Sequence, residues 1–335
     1  MESNKILLVS HELTSTGAPL LLLELAKYLY KNNWKIDVWV IFDFENNDNI
    51  IYNEFKEISN IRFLHVKLCQ DDVDFAKKNY DVIICNTIVS LYFAVNLNAL
   101  LWCHEYEITM IDDLNKVPVI ALTDKHKQLL NDNGVNTVID IPVHGIINSS
   151  MNIPQVKYYK VKILVIGSFI PLKNQLSALE IVRPYKNVEL IMVGKFIDYF
   201  TGDDSYYQQV KDNIGDIDCK LIDVQPHEKV LEMIEQCNIV LIPSDYESYS
   251  MVAIEALERG KTVLLTDNTC NDFEEYLETP YNSRIMPVNE MQEYLGELIN
   301  SELYLRPERI RKYNFEERWY KILKDELEYK KSLTQ

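Results

Sequence analysis

Short apolar runs that alternate with longer helical stretches constrain the fold of this 335-residue chain more than any other feature. The segment Leu20–Tyr30, between the first two runs, is long and apolar enough to be a buried helix. Strands that are separated by helices form βαβ units, so this pattern predicts a parallel sheet. In the first half, the runs that we interpret as strands are Ile6–Ser10, Ile36–Ile41, Ile61–Val66, Val82–Asn86, Leu100–His104, Val119–Thr123 and Val138–Pro142.

The second half of the chain restarts the same pattern. Between the halves, the polar stretch Asn148–Tyr159 contains Pro154 and has no periodicity, so we place a linker there. We therefore expect an α/β protein with two Rossmann-like domains, 1–150 and 155–314, and an amphipathic closing helix at 315–330. Ligands bind beyond the carboxyl ends of parallel strands, so two such domains face to face predict an interdomain cleft. The strand-like runs of the second half are Lys162–Gly167, Val188–Val193, Lys220–Val224, Ile239–Ile242 and Thr262–Thr266.

Charge and composition exclude several classes of function. The net charge is −17, which opposes nucleic acid as a partner, although a local basic patch leaves room for peripheral contact with a membrane. No segment approaches the roughly 20 apolar residues that a transmembrane helix needs. The six cysteines are scattered without a C-x-x-C pair, which indicates a cytoplasmic protein without disulfides or a zinc site. We expect neither a metal nor another cofactor.

The most informative segment is 243–260, which predicts a strand end, a loop and then a helix that starts near Ser248–Ser250. The first amides of a helix are unsatisfied and carry partial positive charge, so a diphosphate is expected to bind there. Glu255 lies inside the helix at a depth that suits ribose hydroxyls, whereas Glu247 precedes the helix and reaches the side of a transferred sugar. The alternative is that both glutamates are solvated surface charges.

The spacing Glu247-x7-Glu255, after an apolar strand and Pro-Ser, resembles the retaining glycosyltransferases of family 4. The resemblance extends through most of the chain in the expected order, and it implies the two-domain GT-B fold. It also implies transfer of a hexose or N-acetylhexosamine from a nucleotide diphosphate sugar, with UDP as the leading nucleotide. The implied acceptor is a hydroxyl of a saccharide or glycoconjugate, such as a surface polysaccharide. In this reading Glu247 is catalytic and Ser248, Tyr249, Ser250, Met251 and Glu255 bind the donor.

Two further elements of the family match the first half of the chain. Thr16-Gly17-Ala18 stands where the family has a Gly-Gly or Gly-Ala pair beside the donor phosphate and the acceptor, so the resemblance makes Gly17 a donor-binding residue. His104 stands where the family has a histidine that contacts the transferred sugar, so it is the second catalytic candidate. Without the resemblance, Gly17 is an ordinary turn residue and His104 a structural histidine.

The second half carries the matching phosphate-binding element, Gly167-Ser168 followed by Lys173. The family commonly has arginine at the position of Ser168, so one phosphate charge loses its usual partner. Either Lys173, Gly17 and the helix start suffice for the diphosphate, or another cation, such as Lys195, replaces the arginine. Val224 corresponds to a position whose backbone pairs with the nucleobase, with core packing as the alternative. His144 replaces the asparagine of a Pro-Asn-Gly segment, and we assign it no catalytic role.

The resemblance implies that the helix start and Lys173 stabilise the leaving diphosphate without a metal, while Glu247 orients sugar hydroxyls. Two other functions stay open at this point. One is a nucleotide-sugar epimerase with the same fold, which needs no acceptor. The other is a non-catalytic glycosyltransferase-like partner subunit, which the serine at position 168 favours and the retained Glu247, His104 and Lys173 oppose.

Overall fold

The computed structural model describes residues 3–14, 16–42, 50–64, 68–140, 159–197, 202–271, 283–302, 304 and 315–333. The chain divides into two compact units. Unit 1 consists of Met1–Gly145 together with Asn314–Gln335, and unit 2 is Ile146–Tyr313. The linker predicted at Asn148–Tyr159 lies outside the described residues except for Tyr159, and so do His144 and the segment around it.

Unit 1 contains a seven-stranded sheet in the order β3-β2-β1-β4-β5-β6-β7, and all of its strand pairs are parallel. The strand order reverses between β1 and β4, which makes the carboxyl edge there the expected place for a ligand. The strands are β1 (Lys5–Ser10), β2 (Lys35–Val40), β3 (Asn60–Phe63), β4 (Val82–Asn86), β5 (Leu100–Trp102), β6 (Val119–Ile120) and β7 (Val138–Asp140).

Helices connect these strands, as the alternating pattern predicts. The first helix is buried along much of its length because its leucines pack against the sheet, including the fully buried Leu22 and Leu25. The helices are α1 (Gly17–Lys31), α2 (Ile50–Ile58), α3 (Gln70–Asn79), α4 (Leu91–Leu97), α5 (Ile111–Leu114) and α6 (Asp124–Asp132). A short 3-10 turn, Ile88–Ser90, precedes α4.

Unit 2 repeats the architecture with a six-stranded parallel sheet in the order β10-β9-β8-β11-β12-β13. Its order reverses between β8 and β11, so the loops that follow these two strands form the expected ligand edge. The strands are β8 (Val161–Ile166), β9 (Val188–Val193), β10 (Cys219–Ile222), β11 (Ile239–Ile242), β12 (Thr262–Thr266) and β13 (Arg284–Met286), and the helices are α7 (Gln175–Val182), α8 (Ser205–Asp212), α9 (His227–Glu235), α10 (Met251–Glu258) and α11 (Met291–Ser301).

The last helix, α12 (Phe315–Leu333), belongs to unit 1 although it follows unit 2 in the chain. Trp319 is fully buried, and its ring centroid lies 4.8 Å from that of Trp102 in β5 in an edge-to-face arrangement. Ile322 and Leu323 are also buried, which is the helical spacing of an apolar stripe. The indole pair therefore joins the end of the chain to the centre of the first sheet.

Several strands end earlier than their apolar runs predict, because side chains take over the backbone hydrogen bonds. The run Leu100–His104 ends as a strand at Trp102, and the His104 amide donates to the Glu105 carboxylate at 2.9 Å. The run Val119–Thr123 ends at Ile120, and Thr123 caps α6 by accepting from the His126 amide. The apolar runs therefore predict which backbone segments are buried, but they overestimate the lengths of the strands.

The prediction missed β13, which has only three residues and begins with the exposed Arg284. It pairs with β12 alone, at the edge of the second sheet. A short edge strand has no long apolar run, so periodicity does not reveal it.

Candidate functional site

The loops after β8 and β11 meet at the point where the strand order of unit 2 reverses. The Asp245 amide donates to the Leu172 carbonyl at 2.9 Å, which brings the two loops together through their backbones. A side-chain contact joins them as well, because Lys173 Nζ lies 2.7 Å from Glu247 Oε1. The structure thus brings together two residues that were predicted from the sequence as site residues and that lie 74 positions apart in the chain.

Glu247 is held in place from several directions and is only 8% exposed. Its Oε1 accepts from Ser244 Oγ at 2.7 Å as well as from Lys173. Its backbone bridges to Thr269, and its amide donates to the Asn268 carbonyl at 2.9 Å. A carboxylate with so little solvent and two side-chain donors is not the solvated surface charge of the alternative interpretation.

Gly167 makes room for the lysine. Its φ is +155°, and a Cβ built there would lie 3.2 Å from the Lys173 Cγ. A side chain at this position would therefore press on the lysine stem in a backbone conformation that favours glycine. Ser168 follows and is partly exposed, and the next amide, that of Phe169, donates to the Lys195 carbonyl at 2.9 Å. The Lys195 backbone thus lies beside the position where the family commonly has arginine.

Helix α10 begins at Met251, one residue later than the predicted start. Ser250 is its N-cap, with Oγ accepting from the Ala253 amide at 3.3 Å, and its own amide donates to Asn271 Oδ1 at 2.7 Å. The amides of Met251 and Val252 have no acceptor within the helix, as for the first amides of any helix. Ser248 and Tyr249 are partly exposed in the loop before the cap. The helix start therefore presents donors next to the Lys173–Glu247 pair.

Glu255 lies four residues after Met251, or roughly 6 Å further along the helix axis. It is 7% exposed, and its Oε1 lies 2.7 Å from Nε2 of His227, the first residue of α9. Val224, three residues before that histidine, is 46% exposed. Core packing is therefore wrong as an account of Val224, and its amide donates to the side chain of Asp223.

In unit 1, Gly17 is the exposed first residue of α1, and a Cβ built on it would meet nothing within 4 Å. The loop before it is organised by Glu12, a buried carboxylate that sequence reasoning missed. Its Oε1 accepts from Thr14 Oγ1 at 2.9 Å and from Thr16 Oγ1 at 3.0 Å, and it lies 3.3 Å from His11 Nε2. These contacts shape the loop and leave open space in front of the glycine.

His104 follows β5 and is 8% exposed. Its ring centroid lies 4.9 Å from that of Trp102, and its Nε2 has no hydrogen-bond partner among the described residues. Burial, followed by the charges of His126 and His11, holds the pKa of His104 well below 6.5. The imidazole is therefore neutral near pH 7, and its buried Nε2 lacks a hydrogen-bond partner among the described residues.

Two family models match the sequence. The model described as glycosyl transferases group 1 matches residues 150–316, and the one described as glycosyl-transferase family 4 matches residues 2–108. Together they span most of the chain. The chain belongs to the family-4 glycosyltransferases. It is therefore an enzyme, and the predicted family is confirmed, whereas the roles of the Glu247-x7-Glu255 motif stay a prediction. No curated protein matches this glycosyltransferase in sequence.

Solved structures confirm the GT-B fold of the glycosyltransferase. HepE of Anabaena, solved with UDP and glucose, has a TM-score of 0.71 and 15% identity, covering 99% of each chain. Sucrose-phosphate synthase of Thermosynechococcus elongatus has a TM-score of 0.73 and 16% identity, also covering 99% of each chain. A glycosyltransferase of Rickettsia africae has a TM-score of 0.71 and 14% identity, covering 98% of this chain and 94% of that one.

Over the part of the chain that the structure describes, no helix combines the length and apolar character that crossing a membrane requires. Within the same residues, no three His, Cys, Asp or Glu side chains are grouped so that they would hold a metal ion.

Sequence reasoning identified both glutamates and Lys173 but missed their partners. Ser244 and His227 each contact one of the glutamates, at 2.7 Å. The only sequence signal for His227 is its place at a helix start after Pro226, and a lone histidine in that position is usually structural. Such partners become visible only when the fold brings distant segments together.

Proposed function

We propose that this enzyme transfers a hexose or N-acetylhexosamine from a nucleotide diphosphate sugar to a hydroxyl group of a saccharide or glycoconjugate. In this proposal the anomeric configuration is retained and no metal is required. UDP-sugars are the first donors to test, because similar GT-B structures have been solved with UDP-glucose and with UDP and glucose.

The observation that carries the proposal is the contact between Lys173 and Glu247 beside the start of α10. The open amides of a helix start and one ammonium group are suited to a diphosphate, which accepts charge-assisted hydrogen bonds. Glu255, further along the same helix, is suited to the hydroxyl groups of the ribose. The exposed loop at Val224 is the candidate contact for the base.

Breaking the bond between sugar and phosphate leaves negative charge on the β-phosphate and positive charge on the sugar ring. The amides of α10 and the Lys173 ammonium would stabilise the leaving diphosphate in a preorganised way, which is the task that a metal performs elsewhere. Glu247 would accept hydrogen bonds from sugar hydroxyls and offset the positive charge on the ring. We assign it no role as a covalent nucleophile.

Two further residues, which the family resemblance selects, complete the proposal. The neutral His104 would use its unpartnered Nε2 to hydrogen-bond a hydroxyl of the transferred sugar. Gly17 would let the backbone at the start of α1 approach the donor phosphate, since the space in front of it is open. The buried Glu12 would act on this loop only, by keeping its shape.

A donor-consumption assay tests the proposal. The purified chain is incubated with UDP-glucose, UDP-galactose and UDP-N-acetylglucosamine, with and without a chelator, and released UDP and the configuration of the product are measured. We expect UDP release that is insensitive to the chelator and a product with the configuration of the donor. Glu247→Gln should abolish turnover, whereas Glu293→Gln, at an exposed position on α11, should not change it. Equal turnover by both variants would overturn the assignment of Glu247, and a chelator-sensitive rate would overturn the metal independence.

A further inference from the structure

The second glutamate of the site has a fixed partner that the proposed chemistry does not use. His227 Nε2 lies 2.7 Å from Glu255 Oε1, and the glutamate side chain is only 9% exposed. The two residues are 28 positions apart, on the adjacent helices α9 and α10. The His227 side chain is partly exposed, but a contact this short to a buried carboxylate restricts the rotamer of the glutamate.

We propose that His227 is a positioning residue that aims the Glu255 carboxylate at the ribose and so makes the donor site select ribonucleotides over deoxyribonucleotides. The inference rests on the proposed function, because it takes the ligand of α10 to be a nucleoside diphosphate. A carboxylate oxygen accepts hydrogen bonds and cannot donate them, so its natural partners are the 2′- and 3′-hydroxyls.

The hydrogen bond from His227 gives the two oxygens of the Glu255 carboxylate different roles. Oε1 accepts from His227, whereas Oε2 makes no hydrogen bond with another described residue. Oε2 is then the atom that accepts from the ribose. Without His227, the glutamate would have to lose the freedom of its side-chain torsions when the ligand binds, and that entropic cost would reduce the benefit of a ribose hydroxyl.

The backbone of His227 is rigid enough for this role. Pro226 precedes it with φ −52° and acts as the N-cap of α9, and its carbonyl accepts from the amides of Lys229 and Val230. The backbone that carries the His227 side chain is therefore the start of a regular helix and not an irregular loop. Val224 lies in the connection between β10 and α9, three residues before His227, so the contact also links the candidate base-binding loop to α10, which would hold the phosphates.

Binding of paired nucleotides tests the inference independently of turnover. Titration calorimetry measures the Kd of UDP, GDP and ADP and of their 2′-deoxy counterparts for the wild type, His227→Gln, His227→Asn and His227→Leu. The Gln amide nitrogen reaches about as far as Nε2 of histidine, whereas the Asn amide is shorter. Glu228→Gln, at the exposed neighbouring position, is the matched control.

We expect the wild type to prefer its ribonucleotide by on the order of ten-fold, which is what one charge-assisted hydrogen bond supplies. His227→Leu and His227→Asn should reduce that ratio to within about two-fold of unity, while His227→Gln and the control keep it. A histidine that only supports α9 would weaken both nucleotides equally and leave the ratio unchanged.

The outcomes separate the inference from the function on which it depends. Nucleotide binding by the wild type with an unchanged ribose preference in His227→Leu and His227→Asn would overturn the positioning role and leave the proposed function intact. Failure of the wild type to bind any of the nucleotides would overturn both. If His227→Leu does not fold, the comparison of His227→Gln with His227→Asn still decides.

Discussion

The ion pair between Lys173 and Glu247 can be tested by variants that affect the stability of the protein and its turnover differently. Replacing Lys173 by methionine keeps the stem beside Gly167 but leaves a carboxylate that is 10% exposed without its cation. Exposed pairs contribute about 0.2–1 kcal/mol, and breaking a fully buried pair costs about 3–5 kcal/mol. Because the Lys173 side chain is 28% exposed, we expect an intermediate loss of about 1–2 kcal/mol.

A change of that size corresponds to a decrease in Tm of roughly 2–8 °C for a domain of this size. Adding Glu247→Gln to Lys173→Met should restore most of the stability, because no unpaired charge is then left, while turnover stays lost. Lys160→Met is the matched control, since Lys160 Nζ also lies 2.7 Å from a carboxylate, that of Asp218, but both side chains are at least 35% exposed.

Thermal unfolding followed by circular dichroism gives the stabilities of the wild type, Lys173→Met, Glu247→Gln, the double variant and Lys160→Met, and UDP release gives the activities. The reasoning is refuted if Lys173→Met is as stable as Lys160→Met, because the contact would then have no more energetic weight than a surface pair. It is also refuted if the double variant is less stable than both single variants. Full turnover by Lys173→Met would show that the lysine does not serve the diphosphate.

Three further predictions follow from single contacts. Gly167→Ala should weaken binding of UDP and also lower Tm, because the new Cβ would lie 3.2 Å from the Lys173 Cγ. Calorimetry with UDP measures the change in Kd, and thermal unfolding measures the change in Tm. Ser250→Ala should cost about 1 kcal/mol of stability through the lost cap of α10, measured by urea unfolding. Burial lowers the pKa of His126 from 6.5 to about 4. Between these two pH values the unfolded chain binds a proton at His126 and the folded chain does not, so the free energy of unfolding falls as the pH decreases. Between pH 6.5 and about 5 we expect a loss of about 2 kcal/mol that is absent in His126→Gln, and parallel pH profiles of the two proteins would contradict it.

Periodicity was enough to predict the architecture of the fold but not the boundaries of its elements. The apolar runs of both halves became parallel strands, because a strand covered on both faces must be apolar throughout. His104 and Thr123 lie at the ends of such runs but outside the strands, since a side chain and a helix cap take over their local hydrogen bonds. Apolar residues predict burial position by position. The place where a strand stops pairing with its neighbours, in contrast, depends on contacts with other segments of the chain.

The candidate site shows the same division. Glu247 and Glu255 were recognisable from their spacing and from the helix that begins between them, which are local properties of the chain. Ser244 and His227 were not, although Ser244 lies only three residues before Glu247. Serine and histidine are common in loops and at helix starts, so their presence there indicates a turn or a cap. Their hydrogen bonds to the glutamates follow from the geometry of the fold.

The charge of the whole chain leads to a last prediction about how the site binds an anion. The protein has a net charge of −17, and the Lys173 ammonium at the site is paired with Glu247 at 2.7 Å. Long-range electrostatics therefore oppose a diphosphate, and attraction must come from short contacts at the start of α10, which salt screens much less. Raising the ionic strength from about 0.05 to about 0.15 M should leave the Kd of UDP within about two-fold or lower it, because the repulsion is screened first. A site dominated by unpaired cations would do the opposite. A rise in Kd of about ten-fold over this range, measured by calorimetry, would mean that cations outside the pair hold the phosphates.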